Sequence, residues 1–246
     1  MTEAEQNGRE DGRGLRFLLP RLALRGGAGT RLGSRPGESL EFQEYRDYAP
    51  GDDLRDLDWN ILARTDREVV RVRREEVAPV VEVLRDRSAS MEVPPAKAEC
   101  ADWLFGLVSE SAEGCRVVER ERPVTPRSVR LYVSDTLVDS DPCAVLARIA
   151  HGAAALAVVR ILSRDESEPE PGGTFELADA ETGERREVAF DAETLARHRA
   201  ALEAHTARWA DAARRVGAAF VELTAESQRT ERMSRLSDAG LLGARG

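Results

Sequence analysis

The chain reads as an α/β protein built on a mostly parallel sheet flanked by helices. Runs rich in β-branched residues, VVEVL (80–84), SVRLYVS (128–134), AVVRILS (157–163) and AAFVELT (218–224), have the length and composition of inner strands. Segments of helical period lie between these runs, which predicts crossover connections and a parallel sheet. The first two runs end in polar residues, DRSAS and SD, where a strand of such a sheet would meet solvent.

Taken in order, residues 1–13 are acidic and polar and are expected to form a disordered tail. Residues 14–75 make an N-terminal segment, β-rich and irregular. Gly and Arg crowd LRGGAGTRLGSRPGE (24–38), Pro50-Gly51 marks a turn, and Val70 and Val72 alternate with Arg71 and Arg73 as in a strand. The sheet domain is expected over 76–246. Within it, 97–111 places Ala101, Leu104, Phe105 and Val108 on one helical face, and CRVVERER (115–122) is a single strand-like piece. Residues 128–137 alternate Val129, Leu131 and Val133 before breaking at Ser134-Asp135. A helix over about 142–155 leads into the third run. TFELADAETGERREVAF (174–190) predicts a hairpin turned at Glu181-Thr182-Gly183. A long amphipathic helix over 192–216 carries Leu195, Leu202, Trp209 and Val216, a stripe expected to face the core, and a short helix near 226–236 comes after the last strand.

Composition narrows the function. The formal net charge of -9 argues against general nucleic-acid binding, which needs a basic surface. Residues 13–74 nonetheless hold roughly three more arginines than acids, so the acidity lies later in the chain. No stretch approaches a transmembrane span. The first residues resemble no signal peptide. Cys100, Cys115 and Cys143 are an odd set without CxxC spacing, so disulfides and thiolate zinc sites are not expected and a reducing, cytoplasmic location is. No Gly-rich phosphate loop follows a strand, which argues against nucleotide binding.

Two clusters carry chemistry. Ligands of parallel sheets bind outside the carboxyl ends of the strands, where Asp86, Ser88 and Ser90 fall. A carboxylate and two hydroxyls are hard oxygen donors suited to Mg²⁺, and Asp135 ends another strand with a second carboxylate. The alternative is structural: a serine caps the following helix and Asp86 bonds loop amides. The second cluster, Asp52, Asp53, Asp56 and Asp58, admits a hydrolase with paired carboxylates or two metals. No histidine accompanies it, since His151, His198 and His205 lie far along the chain, and the last two are too widely spaced to chelate. Read structurally, Asp52 or Asp53 caps a short helix, Arg46, Arg55 and Arg64 pair with the acids, and Trp59 anchors that helix against the sheet domain.

DRSASM after an apolar strand resembles the metal-ion-dependent adhesion site of von Willebrand factor A domains. YRDYAPGDDLRDLDWNILAR is similar to the hallmark of the bacterial family called domain of unknown function 58, with Arg46, Tyr48, Gly51, Asp52, Asp53, Arg55, Asp58, Trp59 and Arg64 on its pattern. The later ETGE turn, long helix and final strand keep the family's order, so the resemblance extends from about residue 30 onward. It implies a von Willebrand A-like fold and a non-enzymatic role in protein assembly or maturation, alongside a MoxR-type AAA+ ATPase and a client protein. It also implies that Asp86, Ser88 and Ser90 form the first metal loop and Asp135 the last, holding Mg²⁺.

The chain departs from that pattern in its middle. Only 49 positions separate Asp86 from Asp135, whereas three helices and two strands would need more than ~60. Thr125 is the one threonine in the interval, where the family's site draws one from a middle loop. Glu82 and Arg85 interrupt what should be a buried strand, which suggests one left partly exposed by missing neighbours. A smaller sheet would also show an unpaired edge. The expectation is a shortened member with weak or lost metal affinity. A metal-free scaffold pairing through a sheet edge and a hydrolase using Asp52–Asp58 stand as alternatives.

Overall fold

The computed structural model describes residues 1–18, 44–49, 53, 57–72, 79–138 and 140–245. The chain forms two compact units, Met1–Gly27 with Ala78–Gly246, and Ala28–Val77.

In the larger unit five strands form one parallel sheet: β4 (Val80–Arg85), β5 (Arg116–Arg120), β6 (Val129–Ser134), β7 (Ala155–Leu162) and β10 (Ala219–Thr224). Their order is β10-β7-β6-β4-β5. Period-two alternation sends their apolar side chains to opposite faces. Val83, Leu131, Val159 and Val221 join one core with α3 (Pro95–Ser111), while Leu84, Val158 and Phe220 join another with α4 (Pro142–Ala150) and α6 (Ala192–Arg215). The α/β class and the parallel sheet agree with the sequence reading. So do the placement of the hairpin β8–β9 (Thr174–Ala178, Arg185–Ala189) and the burial of Trp209 on α6.

The chain enters the sheet at β4, steps to β5, then returns past β4 to build β6, β7 and β10 outward. The carboxyl ends of β4 and β6 therefore flank the point where the winding reverses, the place at which α/β sheets open a crevice. The return from β5 to β6 uses no helix. Residues 121–128 are tied instead to Glu82, which is fully buried in β4. Its carboxylate accepts from the amides of Val124 (3.1 Å) and Thr125 (2.9 Å) and from Ser128 Oγ (2.7 Å), with Arg130 Nε at 3.5 Å. Arg85 lies on the other face against Asp102. All of β4 is buried, contrary to the partial exposure expected from its charges. Partners remote in sequence neutralise each of them.

Residues 3–12 are also not a disordered tail. Thr2 Oγ1 accepts from the Glu5 amide at 3.2 Å and caps α1 (Glu3–Gly12). This helix seats on α3 through glycine rather than through an apolar stripe. A Cβ on Gly8 would lie 1.9 Å from the Trp103 carbonyl oxygen, and one on Gly106 2.0 Å from that of Glu5, so the two backbones touch. Trp103 Nε1 donates to Asp11 at 2.9 Å. Next, β1 (Leu15–Phe17) pairs antiparallel with β11 (Leu242–Ala244), which puts the start of the expected N-terminal segment in the sheet unit. Strand β11 comes after α7 (Arg229–Asp238).

In the smaller unit β2 (Glu44–Asp47) pairs antiparallel with β3 (Val69–Val72), and α2 (Trp59–Thr65) lies between them in sequence. Asp58 is its N-cap, accepting from the amides of Asn60 (3.0 Å) and Ile61 (3.2 Å). The sequence pattern had pointed to Asp52 or Asp53 for this cap. Arg67 pairs with Asp47. Trp59 is 61% exposed. Gly51, Asp52, Arg55 and Asp56 lie outside the described residues, as do the side chain of Arg46 and the loop 24–38.

Candidate functional site

The carboxyl rim of the sheet is built from the loops that leave its strands. After β4, the Asp86 amide donates to the Val133 carbonyl at 2.9 Å and so extends the ladder to β6 by one residue. Its carboxylate accepts from the Ser88 amide (2.9 Å) on one oxygen and from Ser134 Oγ (2.7 Å) on the other. The Oγ atoms of Ser88 and Ser90 lie 3.1 Å apart. Asp86, Ser88 and Ser90 are half-buried and share one loop. Ser88 stands at the cap of the 3-10 turn Ala89–Glu92 but makes no side-chain cap bond. The structural alternative thus describes Asp86, which bonds a loop amide, and not the serines.

The Ser90 amide points outward and donates to Glu181 Oε1 at 2.8 Å. Glu181 sits at the tip of the β8–β9 hairpin, where Gly183 takes a φ of 71° and Asp179 accepts from the amides of Glu181 and Thr182. Those bonds hold the Asp179 carboxyl below the usual range. Both hairpin strands are largely exposed, and this tip contact returns the excursion to the sheet's rim.

Asp135, after β6, is fully buried. One oxygen accepts from the Leu137 amide at 3.0 Å, the other from Lys97 Nζ at 2.7 Å. Lys97, also fully buried, reaches Glu166 Oε1 at 2.8 Å. Glu166 lies just beyond β7 and closes a capping box with Ser163 at the start of the short helix α5 (Arg164–Ser167). Thr136 turns the chain through the left-handed region (φ 60°), a strained choice for a β-branched residue. Two histidines from α6 bond the rim loops, His205 Nε2 to the Thr136 carbonyl and His198 Nε2 to that of Glu166, both at 2.8 Å. They act at separate loops, in keeping with their spacing.

Charge behind the rim is dense. Burial pushes the Tyr132 phenol up, Ser134 draws it down, and Asp86 and Asp135 raise it again. Burial pushes the Arg160 guanidinium down, against the opposing pull of Glu222, Asp135 and Glu166.

A Mg²⁺ held by Asp86, Ser88, Ser90 and Asp135 would need all four side chains free to turn to one point. The first three share a network. Asp135 makes no bond to it and is engaged instead by the Leu137 amide and by Lys97. Thr125 lies at the opposite rim, four residues before β6, bonded to Glu82. With Asp135 bonded to Lys97 and outside the Asp86–Ser90 network, the donor set does not fit the ion. What the rim presents is a set of hydrogen-bond donors, the Ser88 and Ser90 hydroxyls and the Ser90 amide. Sequence reasoning missed Lys97, Glu166 and Glu181. The capping box S-x-x-E at 163–166 was a readable signal for one of them, and Lys97 is the single lysine among 36 lysines and arginines.

The family model described as "Protein of unknown function DUF58" matches residues 44–109, a span running from β2 into α3 that includes the Asp86–Ser90 loop. No curated protein and no solved structure matches the chain. No helix among the described residues is long and apolar enough to cross a membrane.

Proposed function

We propose that the protein is a non-catalytic interaction module that seats an acidic side chain of a partner on the Asp86–Ser90 loop. One observation carries this reading: the loop already receives a carboxylate, that of Glu181, on the Ser90 amide at 2.8 Å. The loop stands at the sheet's switch point, where ligands of this fold class bind. Resemblance to the domain of unknown function 58 family adds a MoxR-type AAA+ ATPase as the partner and a client protein as the object of their work.

Two other readings have less behind them. The role of Asp58 as a helix cap favours structure over hydrolysis for the part of the 52–58 cluster that is described. The edge strand β5 is short and carries Arg116, Glu119 and Arg120, a composition that discourages pairing with another chain.

Capture of a MoxR-type ATPase from the same organism, with and without EDTA, tests the proposal. Wild type should capture the ATPase in both conditions, and Ser88→Ala/Ser90→Pro, which removes both hydroxyls and the Ser90 amide, should lose it. Glu181→Ala should strengthen capture by removing the internal competitor, whose bond to a charged acceptor is worth about 1.5 kcal/mol, up to about tenfold in affinity. Undiminished capture by the double serine variant would remove the rim from the interaction.

A further inference from the structure

We propose that Lys97 is the resident cation of the carboxyl rim, a tethered ammonium that occupies the role a divalent ion plays in adhesion-type sites. The inference concerns the interior of the rim and does not depend on whether a partner docks on its surface.

The first ground is composition. Of the 36 lysines and arginines all but Lys97 are arginine, so one side chain alone carries an ammonium. An ammonium is a compact point charge with three donors, whereas a guanidinium is a planar fork with donors fixed in one plane. Lys97 is fully enclosed. It also sits in the first turn of α3, where the helix dipole disfavours a cation. Local sequence preference therefore does not explain it, and the two carboxylates do.

The second ground is geometry. Asp135 and Glu166 each spend one oxygen on a backbone amide of their own strand end, Leu137 (3.0 Å) and Ser163 (2.7 Å). Each turns the other oxygen to Lys97 Nζ, at 2.7 and 2.8 Å. One atom thus joins the elements that come after β4, β6 and β7, as a bridging ion would. The third ground is charge. Lys97 sets its positive charge between Asp135 and Glu166, while the fully buried Arg160 adds a second that pairs with Glu222 at 3.4 Å.

Titration of the full-length protein with Mn²⁺, followed by calorimetry and by thermal shift, tests the assignment. Wild type should show no saturable site at millimolar Mn²⁺, on the order of the weakest sites of protein carboxylates. Lys97→Gln should gain a saturable site, at least tenfold tighter than any wild-type response, and lose it again when Asp135→Asn is added. Saturable binding by wild type that Asp86→Ala abolishes would overturn the proposal, as would a folded Lys97→Gln that stays silent. If Lys97→Gln does not fold, the single lysine still gives one side-chain ¹⁵Nζ resonance in the wild type. That resonance should stand unbroadened as Mn²⁺ is added. Selective paramagnetic broadening would place the ion at the ammonium and refute its role.

Discussion

Replacing Glu82 by alanine tests whether one buried carboxylate holds the helix-free return from β5 to β6. Removal strands the amides of Val124 and Thr125 and the Ser128 hydroxyl, and leaves Arg130 without its counter-charge. Breaking a buried ion pair from one side costs about 3–5 kcal/mol. Arg130 keeps the carbonyls of Thr125, Ile149 and His151 as acceptors, which sets the expected loss at the lower end, about 3 kcal/mol. At roughly 2–4 °C per kcal/mol for a chain of this size, Tm should fall by about 6–12 °C. Glu82→Gln keeps the shape but turns an NH₂ toward Ser128 and Arg130, so most of the loss should persist. Acid adds an independent readout. Burial pushes the Glu82 carboxyl up, yet Ser128 and the two loop amides outweigh it and hold the group below its ordinary value. A carboxyl depressed on folding contributes stability above its unfolded value and loses it as pH falls through the folded one. Wild type should therefore lose more stability on acidification than Glu82→Gln, by calorimetric melts at stepped pH. An alanine variant melting within about 1 °C of wild type, or parallel acid profiles for wild type and Glu82→Gln, would refute the reasoning.

The remaining tests address the seat of α1 and the core thiol. A Cβ at Gly8 meets the Trp103 carbonyl oxygen at 1.9 Å, so Gly8→Ala must push α1 off α3. Overpacking of this kind costs about 1–3 kcal/mol, and Tm should drop by about 2–12 °C with earlier proteolysis near the N-terminus; an unchanged melt would mean that α1 is not seated there. Burial pushes the Cys100 thiol up to about 11, with Arg232 drawing it partly back. Iodoacetamide at about pH 8 should accordingly modify Cys115 and Cys143 before Cys100 in the native protein, as mapped by mass spectrometry, and equal labelling of all three would contradict the buried placement.

The parts of the fold legible in the sequence were those written locally. Inner strands buried on both faces read as near-continuous apolar runs, and β4 and β7 were found that way. Strand β6 was found by the alternation of Val129, Leu131 and Val133, whereas β10, expected as an inner strand, lies at the sheet's edge and is half-buried. The β8–β9 turn was announced by Gly183. Helix α1 was not legible, because it docks through Gly8 and Gly106 and not through an apolar stripe. The burial of β4 was misjudged because the partners of its charges, Arg130 and Asp102, lie 48 and 17 residues away from Glu82 and Arg85. The rim was half legible: Asp86, Ser88 and Ser90 share a loop and can be read together, whereas the orientation of Asp135 depends on a lysine 38 residues upstream.

These misreadings share one physical origin, which also bears on what the rim can do. Long-range ion pairs hold the interior where fewer elements are available to cover it: Glu82 with Arg130 at the amino rim, Lys97 with Asp135 and Glu166 at the carboxyl rim. Buried pairs of this kind are modest contributors to stability when compared with apolar packing, but costly to break from one side, so they fix geometry more than they add strength. At the carboxyl rim the charges of Lys97, Asp135 and Glu166 face one another. A partner approaching from solvent meets neutral donors, the two serine hydroxyls and the Ser90 amide, with a glutamate from the hairpin already on one of them. On the proposed reading, affinity at such a surface is governed by displacement of the hairpin tip and is indifferent to chelators, the reverse of what the DxSxS pattern suggests when read alone.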